Sequence, residues 1–151
     1  MTALSDTFFP AAVLSYPLEK PLTNRYFQRS AILIKVLIID DRITSRKGLR
    51  ALMLTQPDIQ IIGEARDGEK AIQFIEREKP DVVLMDAFMP KLNGLQATKI
   101  IKKRWRRIRV VMLTLHDDIR EEALAAGADA FLVKGCSPDE LIKEIKNERR
   151  K

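Results

Sequence analysis

Residues 32–41 read ILIKVLIIDD, an apolar run rich in β-branched residues that ends at a pair of aspartates. Such a continuous run is typical of a strand buried on both faces, as in parallel sheets covered by helices. Similar runs occupy 81–85, 109–113 and 130–133. Residues 59–65 alternate more strongly between apolar and polar side chains, which predicts a strand at the edge of the sheet. The chain therefore has five predicted strands.

The segments between the strands repeat their apolar residues with helical spacing. In the third of these segments, Leu95, Ile101 and Trp105 fall on one helical face. Gly127 ends the fourth predicted helix, and Ser137 is the expected cap of the last one. Strands that alternate with helices predict an α/β fold with a doubly wound, five-stranded parallel sheet in a single domain.

Composition bounds the class of protein. The chain has 151 residues, of which 46% are hydrophobic, and this is enough for one domain with a real core. Its net charge of +6 is compatible with binding to nucleic acid or to an acidic membrane surface. Whether such binding is expected depends on where the basic residues lie. The single cysteine, Cys136, excludes an intrachain disulfide and a cysteine-built metal site. We expect a cytoplasmic protein with no membrane segment.

Residues 1–31 differ from the rest of the chain. Pro10, Pro17 and Pro21 interrupt every window in which a long helix or strand could form. No basic start followed by an unbroken apolar stretch is present, so a secretory signal is not expected. We predict a non-globular N-terminal extension over 1–31 and one domain over 32–151.

Polar residues follow four of the predicted strands. They are Asp40 with Asp41, then Asp86, Thr114 and Lys134. The carboxyl ends of parallel strands meet at one edge of the sheet, which is where ligands of such folds bind. Three carboxylates in one pocket suit Mg2+, while a lysine and a threonine beside them suit an anion that joins the metal. This set is what phosphoryl transfer to a carboxylate requires.

These residues stand in five short motifs that occur in a fixed order. The motifs are IDDR at 39–42, LMDAFMP at 84–90, NGL at 93–95, MLT at 112–114 and AGADAFLVK at 126–134. Together they resemble the receiver domain of two-component response regulators, most of all the NarL/FixJ-type subgroup. The resemblance covers about residues 34–147, and it implies a flavodoxin-like fold with strand order 2-1-3-4-5.

The resemblance implies a role for each polar residue at the sheet edge. Asp86 would accept the phosphoryl group and contribute to the metal site. Asp41 would bind Mg2+ directly, Asp40 would hold it through water, and the backbone carbonyl of Phe88 would complete the protein ligands. Lys134 would pair with the acceptor carboxylate and then with the phosphoryl group.

Two further residues would report phosphorylation. By the resemblance, Thr114 would hydrogen-bond a phosphoryl oxygen and move toward it, and Phe131 is the aromatic whose rotamer changes. The affected surface would lie around the fourth helix, fifth strand and fifth helix. His116, the only histidine, is expected to be exposed near the site.

The implied biology is that of a phosphorylation switch. A sensor histidine kinase would donate the phosphoryl group, and the chain would not be a turnover enzyme. The output partner would be an unidentified protein or DNA-binding partner, with a homodimer as a further possibility. Because the sequence ends directly after the last predicted helix, we expect no effector domain.

Three features depart from the pattern of the family. Phe88 is bulky at a position that in the family often carries a smaller or polar side chain, and its size affects access to the site and the rate of hydrolysis there. The interval from Thr114 to Lys134 is about two residues shorter than expected, and the shortening falls in the fourth helix. Gly135 stands where many receiver domains have proline.

Two alternatives belong to other functional classes. One is a Mg2+-dependent aspartyl-phosphate phosphatase, which would need a second aspartate two residues after Asp86, where this chain has Phe88. The other is a nucleic-acid-binding module that uses the basic residues at 102–109 and 143–151, with Trp105 available for stacking. We favour a solvated helix end for the basic stretch and do not expect direct nucleic-acid binding.

Overall fold

The computed structural model describes residues 32–147, which contain five strands and five helices. The strands are β1 Ile34–Ile39, β2 Ile59–Ala65, β3 Val82–Met85, β4 Arg109–Thr114 and β5 Ala130–Val133. The helices are α1 Ile43–Leu54, α2 Gly68–Glu78, α3 Gly94–Arg104, α4 Arg120–Ala125 and α5 Pro138–Lys146. The predicted extension at 1–31 and the last four residues lie outside the described residues, so the boundary after residue 31 stays a prediction.

The sheet has the order β2-β1-β3-β4-β5, and every neighbouring pair is parallel. The predicted fold class, strand order and edge position of β2 are therefore confirmed. β1 lies between β2 and β3, so the chain reverses its direction across the sheet at β1 and β3. In such folds the crevice for ligands opens beyond the carboxyl ends of the strands at this reversal.

Helices cover both faces of the sheet, which explains the continuous apolar strands. On one face the core includes Ala71 of α2 and Ile101 of α3, and on the other it includes Met53 of α1 and Ile145 of α5. All four residues of β3 are buried. No helix within residues 32–147 has the length and apolar character that crossing a membrane would require.

Two predicted boundaries are wrong by a few residues. The first strand begins at Ile34 rather than Ile32, because pairing with β2 starts where Ile34 meets Ile59, and Ile32 is 80% exposed. Trp105 follows the last residue of α3 instead of continuing its helical stripe, although its half-buried ring still packs against the core. The fourth helix is short, as the sequence interval predicts, and is preceded by a 3-10 turn over Asp117–Ile119.

Candidate functional site

The residues predicted for the site come together at the carboxyl edge of the sheet. A cleft there is lined by Asp41, Asp86, Phe88, Thr114 and Lys134. Arg42 of the IDDR motif also lines it, as do Leu115 and His116, which lie outside the motifs. The parallel topology causes this convergence, because it places the ends of β1, β3, β4 and β5 side by side.

Asp40 is the most heavily hydrogen-bonded carboxylate of the site. Its Oδ1 accepts the backbone N–H of Arg42 at 2.9 Å, and its Oδ2 accepts Ser45 Oγ and Lys134 Nζ, each at 2.6 Å. Arg46 fixes the backbone as well, since its guanidinium donates to the Asp40 carbonyl at 2.7 Å. Burial by itself would raise the pKa of Asp40, but these hydrogen bonds outweigh it and lower the pKa below its ordinary value.

Asp86 lies in a different electrostatic environment from Asp40. It is buried, with Lys134 Nζ at 3.3 Å and the backbone N–H of Phe88 at 3.4 Å. Burial raises the pKa of Asp86, and the negative charge of Asp40 adds to this effect, while Lys134 opposes it. Lys134 Nζ pairs with both carboxylates, at 3.3 Å from Asp86 and at 2.6 Å from Asp40, so it contacts Asp86 but lies nearer to Asp40.

The three carboxylates fit a divalent cation. One oxygen from each of Asp40, Asp41 and Asp86 lies within 4.8 Å of the others. Asp41 is exposed, whereas both oxygens of Asp40 already accept hydrogen bonds. Hard oxygen ligands with room for water are the environment that Mg2+ prefers. The donor chemistry thus suits Mg2+, and the roles of the individual ligands, including the Phe88 carbonyl, stay predictions.

The loop after β3 holds Asp86 in place through close backbone packing. Asn93 caps α3 by accepting the N–H of Gln96, and the Gln96 side chain accepts the N–H of Asn93 in return. The N–H of Gly94 then donates to the carbonyl of Ala87 at 2.9 Å. A side chain at Gly94 would collide with the backbone of Asp86 and Ala87. The NGL motif therefore fixes the backbone of Asp86 at the end of β3.

Two aromatic rings meet at the cleft. The rings of Phe88 and His116 form an edge contact with 4.5 Å between centroids and an interplanar angle of 66°. The backbone N–H of His116 lies 3.4 Å from the hydroxyl of Thr114, just as the N–H of Phe88 lies near Asp86. His116 is exposed and lines the cleft, as the sequence predicts. The ring contact therefore joins the loops that follow β3 and β4.

Phe131 lies outside the cleft and is buried in β5. The guanidinium of Arg120 lies over its ring at 4.7 Å from the centroid, and Arg120 Nη1 is 3.5 Å from the Phe131 carbonyl. Arg120 is the first residue of α4, so it connects this helix to the predicted switch aromatic. No pattern in the sequence predicts this role for Arg120, because the contact joins residues eleven positions apart across a turn.

Half of the basic residues at 102–109 form ion pairs within the domain. Lys102 pairs with Asp129 at 2.8 Å and also donates to two backbone carbonyls. The other ion pairs are Arg104 with Glu76 and Arg109 with Glu144. Trp105 lies under Arg104, whose guanidinium is 4.8 Å from the ring centroid. These contacts give the stretch a structural role and weaken the nucleic-acid alternative.

The topology defines a parallel α/β domain, and the carboxyl edge of its sheet carries three carboxylates and a lysine, a donor set that suits Mg2+. A model of the response regulator receiver domain matches residues 36–146. The chain belongs to this family. Receiver domains act in two-component systems, where phosphorylation on an aspartate is their standard function, and response regulators pair with histidine kinases. Receiver domains bind Mg2+ at an acidic pocket.

Named relatives and solved structures agree with this assignment. Transcriptional regulatory protein DegU of Brevibacillus brevis is 36% identical over 115 residues, which cover 75% of this chain and 49% of DegU. Response regulator UvrY of Escherichia coli (strain K12) is 35% identical over 117 residues, which cover 76% of this chain and 54% of UvrY. The chain thus spans about half the length of these curated relatives.

Two solved structures have the same fold. The response regulator domain of Thermotoga maritima CheB matches with a TM-score of 0.73 and 33% identity, covering 79% of this chain and 98% of that one. The signal receiver domain of the putative response regulator NarL from Mycobacterium tuberculosis has a TM-score of 0.72 and 30% identity, covering 76% of this chain and 94% of that one.

Proposed function

We propose that Asp86 of this chain accepts a phosphoryl group from a sensor histidine kinase in the cytoplasm, with Mg2+ bound by Asp40, Asp41 and Asp86. The observation that carries this proposal is the position of Asp86, which is buried at the end of β3 with Lys134 at 3.3 Å and two further carboxylates close by. A carboxylate between an ammonium group and a cation site can act as a nucleophile toward an electron-poor phosphorus.

The transfer is a displacement at phosphorus. An oxygen of Asp86 attacks, an O–P bond forms, and the P–N bond to the kinase histidine breaks, with its electron pair returning to the imidazole nitrogen. Mg2+, when bound, supplies positive charge to the phosphoryl oxygens. Lys134 moves from Asp40 toward those oxygens, and the Thr114 hydroxyl donates to one of them. Water then hydrolyses the acyl phosphate, which releases inorganic phosphate and returns the Asp86 carboxylate, so the chain acts as a switch and not as a turnover enzyme with a substrate of its own.

The output is a change in a protein-binding surface. Movement of Thr114 toward the phosphoryl group shifts the end of β4, where Thr114 pairs with Val133 of β5. Phe131 lies two residues before Val133, and Arg120 connects its ring to α4. We place the response around α4, β5 and α5, where a protein partner or a second copy of the chain would bind. Direct nucleic-acid binding is not part of the proposal, because Lys102, Arg104 and Arg109 already hold internal partners.

The test is labelling with a small phosphodonor. The purified chain is incubated with acetyl phosphate and Mg2+, and intact-mass spectrometry measures the added phosphoryl group. We expect labelling of the wild type, its loss in Asp86→Asn, and its loss when EDTA removes the cation. Asp118→Asn, which changes an exposed carboxylate on the 3-10 turn, is the matched control and should label normally. Equal labelling of the wild type and Asp86→Asn would refute the proposal.

A further inference from the structure

Ser45 contacts the acidic site although it belongs to none of the motifs. It lies in the first turn of α1, where its hydroxyl donates to Asp40 Oδ2 at 2.6 Å. The same oxygen accepts Lys134 Nζ at 2.6 Å. Asp40 Oδ1 accepts the backbone N–H of Arg42 at 2.9 Å. The Arg42 backbone N–H and the Ser45 hydroxyl, both at the start of α1, thus hold the two carboxylate oxygens independently of Lys134.

This arrangement matters because Lys134 serves two carboxylates. It lies 2.6 Å from Asp40 and 3.3 Å from Asp86. A phosphoryl group on Asp86 requires the ammonium to leave Asp40, whose side chain is only 2% exposed and gains little hydration in exchange. A buried carboxylate oxygen without a donor is costly, so a second donor that stays in place offsets this loss.

We propose, on the basis of the function proposed above, that Ser45 is a positioning residue that keeps the Asp40 carboxylate oriented toward the divalent cation while Lys134 transfers to the phosphoryl group. Without the hydroxyl, the carboxylate is fixed at Oδ1 alone once Lys134 departs, and it can turn about its Cβ–Cγ bond. Groups that orient metal-binding carboxylates in this way tune metal affinity without touching the metal.

The experiment compares Mg2+ binding in variants of the full chain by isothermal titration calorimetry in the presence of beryllofluoride, a phosphoryl mimic that binds at Asp86 and draws Lys134 away from Asp40. We expect Ser45→Ala to weaken Mg2+ binding by about tenfold, as loss of an outer-shell hydrogen bond typically does. Ser45→Thr keeps a hydroxyl and should restore binding. Thr44→Ala is the matched control, since the side chain of Thr44 is exposed next to Ser45 in α1 and its hydroxyl has no hydrogen bond to another described residue. Alanine is a good helix former, so these alanine variants should fold.

The outcomes separate this inference from the proposed function. Wild-type binding of Mg2+ by Ser45→Ala overturns the role of Ser45, as does an equal loss in Thr44→Ala or a failure of Ser45→Thr to restore affinity. These comparisons require a wild type that binds Mg2+ and is labelled at Asp86. A wild type that does neither refutes the proposed function itself.

Discussion

Gly94 offers a direct test of how tightly the α3 start packs against the acceptor. Replacing it with alanine would place a Cβ 2.8 Å from the Ala87 Cα and still closer to the Asp86 carbonyl oxygen. An ordinary Cβ contact begins at 3.4 Å, so the two backbones would have to separate by more than half an ångström. Neither opposing group is a flexible side chain, and the clash therefore cannot be relieved by a rotamer change.

The expected cost follows from this geometry. Overpacking against rigid surroundings destabilises a fold by about 1–3 kcal/mol, and we expect Gly94→Ala to lie at the upper end of that range. Helix propensity favours alanine over glycine by about 1 kcal/mol, so the net loss in the free energy of unfolding should be about 2 kcal/mol. Displacement of Asp86 should also slow labelling by acetyl phosphate by roughly tenfold, given the sensitivity of reacting groups to sub-ångström shifts.

Urea unfolding followed by circular dichroism measures the first effect, and Gly48 supplies the control. Gly48 lies in α1, and a Cβ there would meet nothing within 4 Å. Gly48→Ala should therefore raise the free energy of unfolding by about 0.5–1 kcal/mol. The reasoning is refuted if Gly94→Ala unfolds at the same urea concentration as Gly48→Ala.

Two further predictions concern Glu64 and the Phe88 ring. Burial by itself would raise the pKa of Glu64, but the hydrogen bonds and charges of Arg50 and Arg46 together lower it below the ordinary value of 4.5. The stabilisation from Glu64 is therefore present above pH 4.5 and is lost as pH falls through the lower folded value. In urea unfolding, Glu64→Gln should have a lower free energy of unfolding than the wild type at pH 7, and this difference should disappear as pH falls below 4.5. A difference that does not change with pH would contradict the stabilising role of the ionised Glu64. Phe88→Ala should shorten the half-life of phosphorylated Asp86 several-fold, because it opens the ring contact at the cleft to water, whereas exposed Leu124→Ala should leave it unchanged. Mass spectrometry after removal of the phosphodonor measures this half-life, and an unchanged value for Phe88→Ala would show that the ring does not control access.

The parallel α/β architecture and the place of the site could be predicted because both follow from patterns along the chain, whereas the strand order was implied by the resemblance to receiver domains. A continuous apolar run predicts a strand buried on both faces, and parallel strands bring their carboxyl ends to one edge. For this reason Asp40, Asp86 and Lys134 were expected together without any coordinates. The start of β1 was missed because it depends on the point where Ile34 meets Ile59 in the neighbouring strand.

The contacts of Ser45, Arg120 and Lys134 could not be predicted, because they depend on where each side chain points in three dimensions. Ser45 could have been suspected, since it lies in the first turn of a helix that begins just after Asp40, but its spacing alone does not separate it from Thr44. Arg120 reaches Phe131 across eleven positions and a turn. The preference of Lys134 for Asp40 over Asp86 is likewise a matter of tenths of an ångström, which no sequence pattern encodes.

The charges at the site also suggest an order of events. Asp40, Asp41 and Asp86 face one ammonium group, that of Lys134, so two negative charges are in excess when all are ionised. Burial and the negative charge of Asp40 raise the pKa of Asp86, and both oppose an incoming phosphoryl group. A divalent cation offsets the excess, after which a phosphoryl group restores negative charge that Lys134 can meet only by leaving Asp40. Cation binding should therefore precede phosphorylation, and the Ser45 hydroxyl is the donor that lets Lys134 leave without freeing Asp40.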